Sequence, residues 1–407
     1  MRRSGILWRA AMLFALCALP AAAGEADPTQ AEVPLPALAG WRASLVIDND
    51  VGVWTVGATQ VFPSFACPEI FGLDDKGRCI ILVSYSGKWT PFQTVQDGKW
   101  LGALVRLDLD PHLEGPEIYT GGQKGNLFQI RAHKEVDFDT RIVARFPGEE
   151  IHTMVGGDLL PDRPGQELIA FSRLGLVWDL RPGDQPGDPF SAPVIATLDG
   201  RVRQAEVLPA APGQAPQAPW IAATARFGKL LLVRMNGQGL DVRAVTEEPM
   251  GLGRMAVRAG DPGQPAVIYA CRDDGLVLRL EGRPEQAEWK REVIFAGPQG
   301  TRGVVSGRFH EDPSVETVAV FGYSKRVQLL SRKPGGAWNV ETLFVDRDKG
   351  HWLAAAELDG RNATDELIGS GYGARIFLLS RPPGYGLKDV PTSPELDPIP
   401  EPDAGGE

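Results

Sequence analysis

Helical periodicity is the first thing missing from this 407-residue sequence. No stretch of any length spaces its apolar residues three or four apart, which excludes helical bundles and α/β layers. Beyond the N-terminal segment no run of about 18 apolar residues follows, so no membrane-spanning helix is expected. Cysteine (4) and histidine (5) are scarce, with no CxxC and no metal-type Cys/His spacing, so zinc and iron–sulfur signatures are absent. There is no G-x-S-x-G elbow to mark a hydrolase nucleophile. Positive charge is short too: 42 Lys and Arg stand against 52 Asp and Glu, a formal charge of −10. That balance argues against nucleic acid or an anionic membrane surface as a partner.

What is present is turn chemistry on an apolar background. The chain holds 48 Gly, 34 Pro, 43% apolar and 23% charged residues, a composition that suits a turn-dense β protein with a large core. Residues 1–23 read as a secretory signal peptide: Arg2, Arg3 and Arg9 form a basic end, Ile6 to Leu19 the apolar stretch, and Ala21-Ala22-Ala23 offers small residues for cleavage after Ala23. Leu16 occupies the position that a lipobox keeps small, so Cys17 is not read as a lipid anchor. Cleavage removes three arginines and no acid, leaving about −13 and a periplasmic or secreted protein. In that oxidising compartment Cys67 and Cys79 either bridge across one local loop or remain thiols, while Cys271 has no evident partner.

The dominant signal is a repeat. Strands beginning at Glu69, Glu117, Glu167, Trp220, Ala266, Glu316 and Glu366 follow loops rich in Gly, Pro and acids, at intervals of 48, 50, 53, 46, 50 and 50 residues. After each comes a short turn, a second apolar run such as Leu230-Leu-Leu-Val233, and a more polar strand such as Val340-Glu-Thr-Leu-Phe344. A stretch of small and apolar residues precedes each, as in Trp352-Leu-Ala-Ala-Ala356. Seven units of four short strands predict an all-β, seven-bladed β-propeller over residues 41–380. The seventh unit stops after its third strand, and the orphan strand Ser44–Asp48 is expected to complete it and close the ring. Residues 24–40 are expected to be a loose lead-in, and the Pro- and acid-rich residues 381–407 a disordered tail.

The lines GDLLPDRPGQELIAFSRLGLVWDL and AELDGRNATDELIGSGYGARIFLL resemble the FG-GAP/VCBS repeats of secreted bacterial propellers, over roughly residues 43–380. The resemblance implies the propeller fold; the family's members include adhesive ectodomains and polysaccharide or sugar lyases, so it leaves activity open. Many members bind Ca²⁺ in an Asp-rich loop. Here the nearest copies are Asp108 and Asp110 with Glu114, Asp158 with Asp162, and Asp359 with Asn362 and Asp365, none with the full ligand set. Acids that cap tight turns are the preferred reading of these loops, with Ca²⁺ the alternative and no other cofactor indicated.

Chemistry is expected at one mouth of the channel. The turns between second and third strands carry Lys76, Lys124, Arg173, Arg226, Arg272, Lys325 and Arg375. The starts of the innermost strands carry Trp100, His152, Arg201 or Arg203, Arg254, Arg302 and His351 with Trp352. Cations around a cleft attract anions, Arg grips carboxylate or phosphate bidentately, and Trp stacks on sugar rings. The plain alternative is a soluble surface of exposed basic turns. The expected function is therefore a binding module for an acidic glycan or other small anionic ligand. A sugar lyase, dehydratase or isomerase with His152 or His351 as base is the enzymatic alternative, and a periplasmic protein–protein scaffold is the third. A quinone-dependent dehydrogenase ranks lower, because the tryptophan-docking repeats and adjacent cysteine pair of that family are missing.

Overall fold

The computed structural model describes residues 33–35 and 40–381, apart from 66, 86–87, 134–135, 161–162, 209–217, 238, 259–263, 359 and 361–362. The expected signal peptide, its cleavage site, the C-terminal tail beyond 381 and Asp359 lie outside the described residues.

Among the described residues there is no helix, and the strands form seven antiparallel sheets arranged as a seven-bladed propeller. Blade 1 consists of Val53–Thr59, Glu69–Asp74, Arg78–Tyr85 and Lys88–Gln96, from the channel outward. Blades 2 to 6 repeat this order over 101–145, 151–197, 202–247, 252–296 and 301–345. The second strand of a blade is buried along its length, as in Glu69–Asp74 and Glu117–Gly122, because neighbouring blades cover both of its faces. Seven apolar clusters result, each shared by two adjacent blades. One of them joins blade 7 to blade 1 through Ile368, Ile376, Val53 and Ile70, which makes the ring continuous.

Closure uses the start of the chain. Gly350–Ala356, Glu366–Gly371 and Arg375–Ser380 are the first three strands of blade 7, and Arg42–Asp48 is its fourth. In blades 1 to 6 the residue after the outer strand donates its N–H to the carbonyl of the preceding turn, as Asp97 does to Gly77 (2.8 Å). Asn49 makes the same bond to Ala374 (2.7 Å) from the other end of the sequence. Val33–Leu35 then pairs with Arg42–Asp48 as a fifth strand, so the stretch expected to be a loose lead-in contains sheet. The free edge of the closing strand offers the N–H and C=O groups that make this pairing.

The recurring glutamate is a loop staple. Glu167 Oε2 accepts the backbone N–H groups of Leu159 (2.8 Å) and Leu160 (2.9 Å), and Glu69 and Glu117 do the same seven and eight residues upstream. Glu366 holds Leu358 N–H at 2.7 Å. Glu316 breaks the pattern that the sequence suggested. It sits one position early, Thr317 takes the staple position and receives Phe309 N–H, and Glu316 instead binds Arg279, Arg332 and Tyr269. Glu167→Ala strands two buried donors and is expected to cost about 2–4 kcal/mol, measured by urea unfolding. A loss below about 0.5 kcal/mol would show that the loop holds without its carboxylate.

Of the two alternatives for Cys67 and Cys79, the structure has free thiols. Cys67 precedes the second strand of blade 1, whereas Cys79 pairs with Leu73 at the far end of that strand. Glu69 to Leu73 alone spans about 13 Å of extended chain, beyond the reach of a disulfide. Cys67, Cys79 and Cys271 are all free thiols. Burial between blades 1 and 2 pushes the Cys79 thiol up to about 12.

Candidate ligand-binding site

Each innermost strand contains a β-bulge at the same place, just inside one mouth of the channel. Pairing with the second strand skips Trp54, Gly102, His152, Arg203, Arg302 and His351 in blades 1, 2, 3, 4, 6 and 7. In blade 5 it skips both Gly253 and Arg254. A bulge frees one residue from the ladder and re-aims its side chain, a device common beside functional sites. All eight bulge residues line one cavity of about 400 Å³. Trp100, Glu150, Arg201, Arg226, Tyr323 and Tyr372 complete its wall.

The wall is divided by chemistry. Blades 6, 7 and 1 supply aromatic rings: Trp54 meets His351 edge-on at 4.4 Å and Tyr372 at 5.1 Å, and Tyr372 meets Tyr323 at 6.0 Å. Trp100 adds a further ring in blade 2, lying over Gly102, where a Cβ would come within 2.8 Å of it. Blades 4 to 6 supply guanidinium groups. Arg203 and Arg302 both donate to Asp273 Oδ1 at 2.6 Å, which fixes their position and leaves other N–H groups available. Arg201 stands 3.9 Å from Glu150, and its Nε has no hydrogen-bond partner among the described residues.

Arg254 is the least compensated of these cations. Its guanidinium stacks 4.0 Å over Trp352 and donates to the Arg203 carbonyl, and no carboxylate pairs with it among the described residues. Burial, then repulsion from Arg203 and Arg302, pulls its pKa down to about 9. Five arginines thus face two carboxylates, Glu150 and Asp273.

Both imidazoles are neutral. Burial, then the positive field of Arg254, holds His152 and His351 well below the ordinary histidine pKa. His351 Nδ1 donates to the Trp54 carbonyl (2.8 Å), so Nε2 keeps its lone pair. His152 Nδ1 has no partner among the described residues. A pair of neutral imidazoles beside fixed cations can accept a proton from a ligand held between them.

Of the residues that the sequence nominated, the structure brings Trp100, His152, Arg201, Arg203, Arg226, Arg254, Arg302 and His351 to this cavity. It places others elsewhere. Arg272 ends the second strand of blade 5 and is held by Glu248 and Asp274, while Arg375 is held by Asp346. Arg173 projects from an exposed turn towards Glu150 (3.5 Å), and Lys325 donates to the Arg347 carbonyl. Lys76 pairs with Asp50, and Lys124 donates to the Asp97 carbonyl. Trp352 follows the bulge, returns to the paired register and faces the channel below Arg254. Trp54, Tyr323, Tyr372, Glu150 and Asp273 escaped the sequence reading.

Among the described residues the acidic loops do not gather metal ligands. Asp110 is taken up by Arg141 (2.7 Å), Gln129 and the N–H of His112. Asp365 accepts Arg308 N–H at 2.6 Å, and Asp108 is exposed. Among the described residues no group of three or more His, Cys, Asp or Glu has the placement to hold a metal ion.

The chain is similar to several solved propellers. The BP39L lectin from Burkholderia pseudomallei superposes with a TM-score of 0.60 at 14% identity, over 82% of this chain and 98% of that one. The WD40 β-propeller domain of Doa1 gives 0.58 at 10% identity, over 86% and 98%. BBS1N, solved in complex with ARL6DN, gives 0.57 at 12% identity, over 86% and 99%. Identities this low show fold alone, and the fold they show is the β-propeller. No family model and no curated protein matches the chain.

Proposed function

We propose that this protein is an exported binding module of the FG-GAP/VCBS type whose channel mouth takes an acidic glycan. The observation that carries the reading is Arg254, a cation deep in a cavity with no carboxylate of its own. Around it stand two further arginines pre-set by Asp273, beside a wall of Trp54, Tyr323 and Tyr372. A uronic acid sugar matches both halves, since its carboxylate answers the guanidinium groups and its ring face suits an aromatic side chain. One neighbour is a lectin, which accords with glycan binding. The neutral imidazoles His152 and His351 favour one second reading, a lyase that abstracts a proton beside the uronate carboxylate and uses the arginines to hold the resulting charge.

Calorimetry with uronate oligosaccharides tests both. Binding is expected, with Arg302→Ala weakening it by about 10–100-fold, the value of one charge-assisted contact. Ultraviolet absorbance from an unsaturated product, lost in His351→Ala, would select the lyase. Failure of every acidic saccharide to bind overturns both readings, and co-purification of a protein partner would then favour a scaffold.

A further inference from the structure

The channel contains a second chamber, of about 340 Å³, deeper along the innermost strands than the bulges. Arg254, stacked on Trp352, lines both chambers and divides them. The walls of the deeper one are made largely of small residues, among them Gly57, Ala58, Gly303, Ala354 and Ala355. A Cβ added to Gly57 meets nothing within 4 Å, so there is room inside.

Its lining holds two charged groups, Glu206 and Arg254. Glu206 Oε2 accepts the Val257 N–H (3.1 Å), and Oε1 accepts the side-chain amide of Gln204. Gln204 is anchored in turn by donating to the Met255 carbonyl (2.9 Å) and accepting the Met255 N–H (3.1 Å). The carboxylate is therefore fixed in direction. Each of its oxygens has received one donor and can accept a second. No cation pairs with it among the described residues, and Arg254 is three residues along the strand from Val257, about 10 Å away. A half-buried, oriented and unpaired carboxylate facing open space calls for a ligand that brings both donors and positive charge.

We propose that this deeper chamber is a second binding site, which takes a small molecule carrying a primary ammonium group against Glu206. The ammonium supplies three N–H donors and the missing charge, and the small walls accommodate a short alkyl chain. A metal ion fits less well, because no second carboxylate, His or Cys lines the chamber. The site is independent of the reading of the mouth, since it shares with it only the dividing Arg254.

Burial raises the Glu206 carboxyl to about 7, so near neutrality an ammonium ligand must draw off its proton. The test is calorimetry of the intact protein with ethylammonium, and with ethanol as the uncharged analogue. Ethylammonium should bind and ethanol should not. Between pH 6 and pH 8 the ethylammonium affinity should rise about tenfold as Glu206 ionises, with proton release visible as a buffer-dependent heat. Glu206→Gln keeps the shape and an acceptor for Val257, and should weaken ethylammonium at least tenfold. Gly57→Leu fills the chamber from the side with room for it and should do the same while keeping the native circular dichroism and melting transition. Ethylammonium that fails to bind the parent protein overturns the proposal. So does equal binding by Gly57→Leu or by folded Glu206→Gln.

Discussion

Arg254→Met is expected to melt higher than the parent protein while losing its acidic ligand. The parent keeps a guanidinium in the channel with a carbonyl and an indole face for company, and its pKa of about 9 records the strain of holding that charge. Methionine retains much of the stem, fills irregular space and rests on Trp352 without the charge. Exchanging an uncompensated buried charge for an apolar side chain should stabilise by about 1–3 kcal/mol, a shift of several degrees. Uronate affinity should fall by at least about 100-fold, since the positive charge that has no carboxylate of its own goes with the side chain. Differential scanning calorimetry and titration on the same sample check both halves. A variant less stable than its parent by more than about 1 kcal/mol would mean that the Trp352 stack and the Arg203 carbonyl fully satisfy the cation. The mouth would then have no unmet demand for an anion.

The second large effect concerns the closing strand. Removing residues 1–49 takes away Arg42–Asp48, and with it the outer partner of Arg375–Ser380 and the bond from Asn49 to Ala374. It also removes Trp41 and Ala43 from the core between blades 6 and 7. A handful of backbone hydrogen bonds at about 1 kcal/mol each, plus about 3–5 kcal/mol for the buried indole, approaches the whole stability of a typical domain. The truncated chain should therefore lose its cooperative melting transition or aggregate through the bared edge of blade 7. Removing residues 1–32 spares both terminal strands and should change the transition by no more than a few degrees. Size-exclusion chromatography with thermal melts separates the two outcomes. A cooperative transition in the shorter chain would show that the ring holds without its clasp.

The fold was legible because its repeat is written in residues with fixed structural tasks. The staple glutamates and the turn glycines recur about every fifty positions, since each blade needs the same loop bond and the same left-handed turn residue. Gly77, Gly125, Gly175, Gly228 and Gly275 have positive φ, and a Cβ on any of them would strike a carbonyl. Lys325 and Ala374 hold that turn in blades 6 and 7. The site was legible in part. Which residue of an inner strand faces the mouth depends on the bulge, and a bulge shifts every later side chain by one. Trp352 was nominated together with His351, and Trp54 was missed, for that reason. A usable signal did exist: Trp54, Gly102, His152 and His351 each stand fifteen residues before a staple glutamate, and Arg302 stands fifteen before Thr317. Pairing of charges leaves no such trace, so nothing in the sequence marked Arg272 and Arg375 as already spoken for by Glu248 and Asp346.

The seven bulges have a consequence for how such a protein changes. A side chain excluded from strand pairing can be exchanged without disturbing the cores between blades, which are built from the residues on either side of it. Tryptophan, glycine, histidine and arginine already occupy this one position in different blades of the same ring. Specificity and foldability are thereby carried by separate letters of the sequence. A library confined to these positions would vary the channel mouth while the cores between blades keep their residues, and relatives with the same frame need share no ligand at all.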